Sequence, residues 1–203
     1  MSRRITTAAV LLLVACSTTT TFTSTWKAPG TEPVSPIGRK VAAVFISPAE
    51  SQRRAGEDTL AADLTQRGAI GVASFTVVPD GLRADGDAAR QHLRDAGANG
   101  AVVMRIVSKD QEITYTPGMS VPASSRHFGP YWRDSWRRVQ DPGTFTTNTI
   151  VSVETLVYSL EPDTLLWAST SRSTNPRDLD ALVREVASAT AREMANQGLL
   201  AAR

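Results

Sequence analysis

The sequence KVAAVFISPAE at residues 40–50 joins an apolar run to a helix start signal. Residues 40–47 suit a buried strand, because short apolar runs with β-branched and aromatic residues favour strands. Ser47, Pro48 and Glu50 then predict a capping box, in which Ser47 caps the first turn and Glu50 reaches back to the cap amide. A strand followed directly by a capped helix is typical of an α/β domain.

The same alternation continues along the chain. Because strands separated by helices pair in parallel through right-handed crossovers, the first three strands are expected to be parallel. The last two strands flank a turn at residues 161–164, which favours an antiparallel hairpin. We predict an α/β fold with α+β character at its C-terminal end, on a single mixed sheet of about five strands in the order β-α-β-α-β-β-β-α. The predicted strands are residues 40–47, 70–78, 101–115, 146–160 and 165–171, and the predicted helices are residues 48–67, 85–96 and 175–197.

The composition is that of an ordinary foldable chain. It has 203 residues, of which 41% are hydrophobic and 21% charged, and roughly 150 residues per domain is the usual expectation. The net charge is +2, but removing residues 1–15 leaves 20 basic against 20 acidic side chains. A neutral mature chain lacks the basic surface that nucleic acid requires, so we expect no nucleic-acid partner.

The first sixteen residues have the pattern of a bacterial lipoprotein signal peptide. A basic start precedes an apolar stretch at residues 5–14, which is shorter than the about 20 residues that a membrane span needs. Residues 13–16, Leu-Val-Ala-Cys, resemble the lipobox of bacterial lipoproteins. The resemblance implies cleavage between Ala15 and Cys16, with diacylglycerol and an N-acyl chain such as palmitate attached to Cys16.

Lipidation of Cys16 would decide where the protein resides. Two or three acyl chains together anchor a protein stably, whereas one holds it only marginally. Residue 17 is Ser, not the Asp that retains enterobacterial lipoproteins in the inner membrane, so the resemblance implies the outer membrane with the body facing the periplasm. The expected organisation is a cleaved signal peptide at residues 1–15, a lipidated cysteine and flexible Ser/Thr/Pro-rich tether at residues 16–38, and one periplasmic domain at residues 39–200.

The sequence lacks the motifs of common catalytic and metal sites. Cys16 is the only cysteine, and the two histidines, His92 and His127, lie far apart, so a zinc site is not expected. There is neither a Gly-rich phosphate loop nor a nucleophile elbow. The charges at positions 53, 54, 57 and 58 are interpreted as pairs on a helix surface. We therefore expect no metal, and no cofactor apart from the covalent lipid.

Arg105 places a charge inside an apolar strand, where it needs a partner or must reach solvent. Glu154 lies in a similarly apolar strand, and adjacent strands would allow a buried cross-strand ion pair between the two. Two alternatives remain open at this point: the residues form the polar floor of a ligand cleft, or they do not interact.

Residues 126–138, RHFGPYWRDSWRR, concentrate aromatic and cationic side chains in a long predicted loop. Such mixtures suit both membrane interfaces and protein interfaces. Three alternatives stay open: the rings cover the sheet edge, the loop binds an envelope protein or glycan, or it meets a lipid surface. The candidate interface residues are Phe128, Tyr131, Trp132, Arg133, Trp136 and Arg137.

The body resembles a family of small bacterial envelope lipoproteins. The resemblance spans residues 25–200 and rests on structural motifs. These are the Thr-Trp pair at 25–26, the charged helix start at 53–58, the Gly-Ala-x-Gly helix exit at 97–100, the Val-Glu-Thr strand at 153–155 and the Leu-Trp pair at 166–167. It implies location and fold but no activity. We expect a lipid-anchored, non-enzymatic periplasmic binding or assembly module. The alternatives are an envelope hydrolase or small-ligand enzyme using a carboxylate in a sheet-end cleft, and a purely structural envelope tether.

Overall fold

The computed structural model describes residues 19–116, 127–138 and 143–200. These residues form one mixed sheet of six strands with four α-helices, which confirms the α/β class and corrects the strand number from five to six. Within this part of the chain, no helix is long and apolar enough to span a membrane. The strands are β1 (Thr19–Lys27), β2 (Lys40–Ile46), β3 (Ile70–Ala73), β4 (Gly100–Thr116), β5 (Thr144–Leu160) and β6 (Asp163–Thr174), and the helices are α1 (Glu50–Gln66), α2 (Gly86–Asp95), α3 (Phe128–Arg138) and α4 (Leu179–Asn196).

The strand order across the sheet is β1-β6-β5-β4-β2-β3. Strand β2 pairs in parallel with β3 and β4, as the alternation of strands and helices predicts. The neighbours β4–β5, β5–β6 and β1–β6 are antiparallel, and they include the predicted C-terminal hairpin. The sheet is therefore mixed, with its parallel part at the β3 edge.

Strand β1 lies where the sequence predicts a flexible tether, so that prediction is wrong from Thr19 to Lys27. The strand pairs along its length with β6, and the hydroxyls of Thr20 and Ser173 form a hydrogen bond of 2.7 Å. Phe22 packs edge-on against the buried ring of Trp167, with 6.0 Å between ring centroids. Threonine is a good strand former, but a polar strand at a sheet edge has no apolar alternation to reveal it.

The predicted capping box at the start of α1 is wrong. The helix begins at Glu50, and its N-cap residue, Ala49, provides no side-chain cap. The Ser47 hydroxyl instead accepts a hydrogen bond from the Ala49 N–H at 3.2 Å. Asp85 and Asp178 do cap α2 and α4, because each carboxylate accepts a first-turn N–H.

The predicted strand at residues 70–78 ends early, at Ala73, and continues as a short 3₁₀ turn over Ser74–Thr76. The carboxylate of Glu57 accepts the Phe75 N–H at 2.7 Å. This hydrogen bond holds the segment after β3 against helix α1, just after that segment leaves the edge of the sheet.

Helices α1 and α4 pack together on one face of the sheet, where they cover the largest apolar cluster. Because successive strand residues point to opposite faces, Ala43 and Phe45 of β2 face this cluster, whereas Ala42 faces α2 on the other side. Helix α2 covers that second face at one end only. Further along, Ile46 and Arg105 on the same face are exposed.

Candidate functional site

Strands β4 and β5 project beyond the rest of the sheet as a two-stranded arm. Strand β6 pairs with β5 only from Ile150 onwards, and β2 pairs with β4 only as far as Arg105. Within the part of the chain that the structure describes, residues 111–116 and 144–149 therefore pair only with each other, and we call them the arm. Six rungs at about 3.3 Å per residue make the arm roughly 20 Å long.

One face of the arm is apolar and exposed. Ile113 and Tyr115 alternate on β4, and Phe145 pairs with Tyr115, with 4.8 Å between their ring centroids. All three side chains are about half exposed or more. The strand alternation continues this face into Val151 and Val153, which α1 and α4 cover in the body of the sheet. These residues are not among the predicted site residues, although the alternation of Ile113 and Tyr115 with threonines is a signal for them.

In the sequence, helix α3 lies between the two arm strands. It occupies residues 128–138 of the segment that the sequence predicts as a loop. Phe128, Trp132 and Trp136 recur every four residues and therefore share one side of the helix. Their ring centroids are 5.6 Å and 5.8 Å apart in succession, so the rings form a continuous row. Tyr131 adjoins this row at helical spacing.

The aromatic rings of α3 face solvent. Phe128 is 75% exposed, and Trp132 and Trp136 are 54% and 59% exposed. Side chains this exposed do not cover the sheet edge, so that alternative is wrong. The helix also carries Arg133, which is exposed, and Arg137. By sequence, α3 has three arginines and one aspartate, so its charge is positive.

The chain enters the sheet at the base of the arm. Thr19 pairs with Thr174, which pairs with Ile150, which pairs with Asp110, so all four residues share one row across the sheet. The next rung outward is the first rung of the arm. The predicted cleavage and lipidation residues, Ala15 and Cys16, lie outside the described residues, and Cys16 precedes Thr19 by three positions.

Arg105 and Glu154 pair across β4 and β5, as the sequence analysis expects. The Nη2 and Nε atoms of Arg105 lie 2.8 Å and 3.1 Å from the same Glu154 carboxylate oxygen. The pair is not buried, because half of the Arg105 side chain is exposed. It lies on the part of the second face that α2 does not cover, beside the exposed Ile46. The predicted ion pair therefore forms, but the prediction that it is buried is wrong.

The charges at the start of α1 form a partly buried network rather than surface pairs. The Arg53 guanidinium contacts the carboxylates of Glu50, Glu57 and Asp80 at 2.8 Å, 3.4 Å and 3.1 Å. Only 6% of Arg53 and 1% of Glu57 is exposed, so the interpretation as a helix surface is wrong for these two residues. Hydrogen bonds from Arg53, and to a lesser extent from Arg54, lower the pKa of Glu50 from 4.5 to about 2. The network fixes the chain after β3 to helix α1.

Two concave regions lie elsewhere in the body. A mostly apolar cavity of about 160 Å³ lies between α1, α4 and the sheet, and an open depression beside α2 includes Val44, Arg90 and Tyr158. Glu154 lines neither region. Among the described residues, no three His, Cys, Asp or Glu side chains are grouped so that they could hold a metal ion.

No protein-family model matches the chain, and no curated protein matches it. Solved structures that match the chain include the PelC dodecamer from Paraburkholderia phytofirmans, with 12% identity, a TM-score of 0.47, and coverage of 92% of this chain and 100% of that chain. A variant of the same PelC gives 14% identity with the same TM-score and coverage. Lipoprotein GNA1162 from Neisseria meningitidis gives 14% identity and a TM-score of 0.38, covering 78% of this chain and 99% of that chain. Similarity this distant assigns no function to the chain.

Proposed function

We propose that this chain is a lipid-anchored, non-enzymatic module of the bacterial cell envelope, and that α3 and the arm bind the membrane surface beside the anchor. The observation that carries the proposal is that the first residues of β1 and the base of the arm lie at the same end of the sheet, because Thr19 and Asp110 share one row. An anchor on Cys16 would hold the bilayer against this end of the sheet.

The lengths of the two segments support contact with the bilayer. Thr19 follows Cys16 by three positions, so the chain between the two residues spans at most about 10 Å, because an extended chain covers roughly 3.3–3.6 Å per residue. The arm is roughly 20 Å long and reaches about 10 Å further than this linker. Interfacial helices place their apolar side about 5–10 Å into the boundary between headgroups and acyl chains. A lipidated chain would therefore bring the outer end of the arm, which α3 follows in the chain, to the depth at which such helices bind.

The chemistry of α3 matches a headgroup region. Tryptophan and tyrosine concentrate at membrane interfaces, where the ring lies in an apolar layer and the polar atom stays hydrated. Trp132 and Trp136 provide such rings, and Arg133 and Arg137 provide cations for lipid phosphates. The exposed Phe145 and Tyr115 form a second apolar surface on the arm, and exposed apolar patches of this kind mark interaction sites.

Location follows from the same proposal. The lipobox resemblance supports a lipid anchor at Cys16, and Ser17 supports the outer membrane with the body in the periplasm. The alternative of a carboxylate-based hydrolase finds no support at Glu154, whose carboxylate is held by Arg105 on an open sheet face. An envelope protein or glycan as the partner of α3 is the competing outcome of the experiment below.

The test is vesicle flotation of residues 16–203 carrying Cys16→Ser, which removes both the anchor and the apolar signal segment and leaves α3 as the proposed contact. We expect this protein to float with phosphatidylglycerol vesicles. Adding Trp132→Ser and Trp136→Ser should lower the affinity at least about tenfold, because each ring loses a large apolar contact area. The matched control is Trp26→Ser, another exposed tryptophan, on β1 rather than α3. Flotation that is unchanged by the α3 double variant, or absent altogether, would contradict the proposal, and specific capture of an envelope protein or glycan by α3 without lipid would replace it.

A further inference from the structure

We infer that the apolar cavity between α1 and α4 is a binding site for a short acyl chain with an anionic head, such as a medium-chain fatty acid. This inference is independent of the membrane contact proposed for α3, because the cavity lies in the body of the domain. It rests on the volume of the cavity, its lining and the charges at its rim.

The cavity has the size and lining of a hydrocarbon site. Its volume is about 160 Å³, and apolar cavities of about 150 Å³ in proteins stay dry and admit a six-carbon ring. The cavity is partly open to solvent, so a ligand can enter it, and concave sites lined mostly by apolar side chains are where small ligands bind. Its apolar lining includes Val34, Val41, Leu64, Val102, Ala191 and Met194.

The charge at the rim points to an anionic head. Arg67 and Asp63 both line the cavity, and two hydrogen bonds of 2.6 Å and 3.0 Å join the guanidinium to the carboxylate, so this pair contributes no net charge. Arg39 also lines the cavity, and its exposed side chain has no ion-pair or hydrogen-bond partner among the residues that the structure describes. One uncompensated cation at the mouth of an apolar cavity suits a carboxylate attached to a hydrocarbon chain.

The chain's own lipid does not fit as the occupant. The cavity adjoins Asn99 and Gly100, at the start of β4, whereas Thr19 lies in the row of Asp110. Ten residues of strand separate the two rows, which is about 30 Å. An anchor held in a bilayer beside Thr19 is therefore at the opposite end of the sheet, and the occupant must come from outside the chain.

The experiment titrates residues 16–203 carrying Cys16→Ser with butanoate, hexanoate and octanoate below their critical micelle concentrations, using calorimetry. Burial of each added methylene should raise the affinity about fourfold until the cavity is full. Ala191→Leu fills the cavity from its wall and should abolish this dependence on chain length, whereas Ala195→Leu, at an exposed position one turn further along α4, should preserve it. Thermal unfolding of both variants verifies that they fold.

Arg39→Gln tests the head group. It should reduce octanoate affinity about tenfold and leave the affinity for octan-1-ol unchanged, whereas Arg192→Gln, an exposed arginine of α4 outside the cavity, should change neither. Affinity that does not rise with chain length, or that Ala191→Leu leaves intact in a folded protein, would overturn the inference. Chain-length dependence with no effect of Arg39→Gln would overturn the anionic head and leave a purely apolar ligand.

Discussion

Thr19 and Thr174 are antiparallel neighbours in the row of the sheet from which the arm projects. The first described residue of the chain and the base of the arm therefore lie at one edge of the molecule. A lipid on Cys16 would lie at the end of the sheet from which the arm projects, and α3 follows the outer end of the arm in the chain. This relationship connects the predicted anchor to the predicted interface loop, and the sequence alone does not reveal it.

Exposed rings on α3 should be dispensable for folding. Because Trp132 is more than half exposed, we expect Trp132→Ser to change the free energy of unfolding by less than about 0.5 kcal/mol. Trp167 is fully buried and donates a hydrogen bond to Gln197, so Trp167→Ala should cost about 3–5 kcal/mol. Urea denaturation measures both values. A loss above 1 kcal/mol for Trp132→Ser would indicate that the ring packs within the fold.

The arginines of α3 should make binding depend on lipid charge. A basic residue near an anionic membrane contributes about 1 kcal/mol, so Arg133→Gln should weaken binding to phosphatidylglycerol vesicles about fivefold. Binding to phosphatidylcholine vesicles should stay the same, and flotation against lipid concentration measures both. Equal losses on the two kinds of vesicle would argue against an electrostatic role for Arg133.

The partly buried network should be a major source of stability. Glu57→Gln leaves the buried Arg53 without one of its carboxylates and weakens the hydrogen bond to Phe75, so we expect a loss of roughly 3 kcal/mol. Arg54→Gln affects only a half-exposed side chain and should cost less than about 1 kcal/mol. Urea midpoints at neutral pH distinguish the two variants. Similar small losses would show that Glu57 is not an essential member of the network.

Acid should weaken the same network through Glu50. Its pKa is lowered from 4.5 to about 2 in the folded protein, so its ion pairs stabilise the fold above pH 4.5 and are lost as the pH falls towards 2. In Glu50→Gln this contribution is absent, so the free energy of unfolding should decline less steeply between pH 4.5 and 2 than in the parent chain. Urea denaturation across this range measures the slope. The matched control, exposed Glu32→Gln, should keep the parent slope.

The elements that the sequence predicted correctly carry local signals. The apolar run of β2 and the apolar first half of β4 are each visible within a few residues. The antiparallel pairing of β5 and β6 follows from the short turn between them. These features depend on neighbouring residues, so a single sequence is sufficient to predict them.

The features that the sequence did not predict depend on distant contacts. Strand β1 exists because β6, some 150 residues away, offers an edge for a polar strand. Glu57 is buried because the turn at Phe75 folds back over α1, whereas its i,i+4 spacing to Arg53 is the same as that of a solvated surface pair. Helix α3 is predicted from the sequence as a loop, and it contains Gly129 and Pro130 in its first turn, where proline is tolerated.

The measurement that tests the membrane contact most directly is tryptophan quenching in the lipidated chain, reconstituted in vesicles whose acyl chains carry bromine. With Trp26→Phe, the emission of Trp132 and Trp136 should be quenched, while the buried Trp167 contributes a constant background. Adding Trp132→Phe and Trp136→Phe should remove the quenched component. If the chain that keeps both α3 tryptophans shows no more quenching than the chain that lacks them, α3 does not enter the lipid surface and the proposed function is wrong.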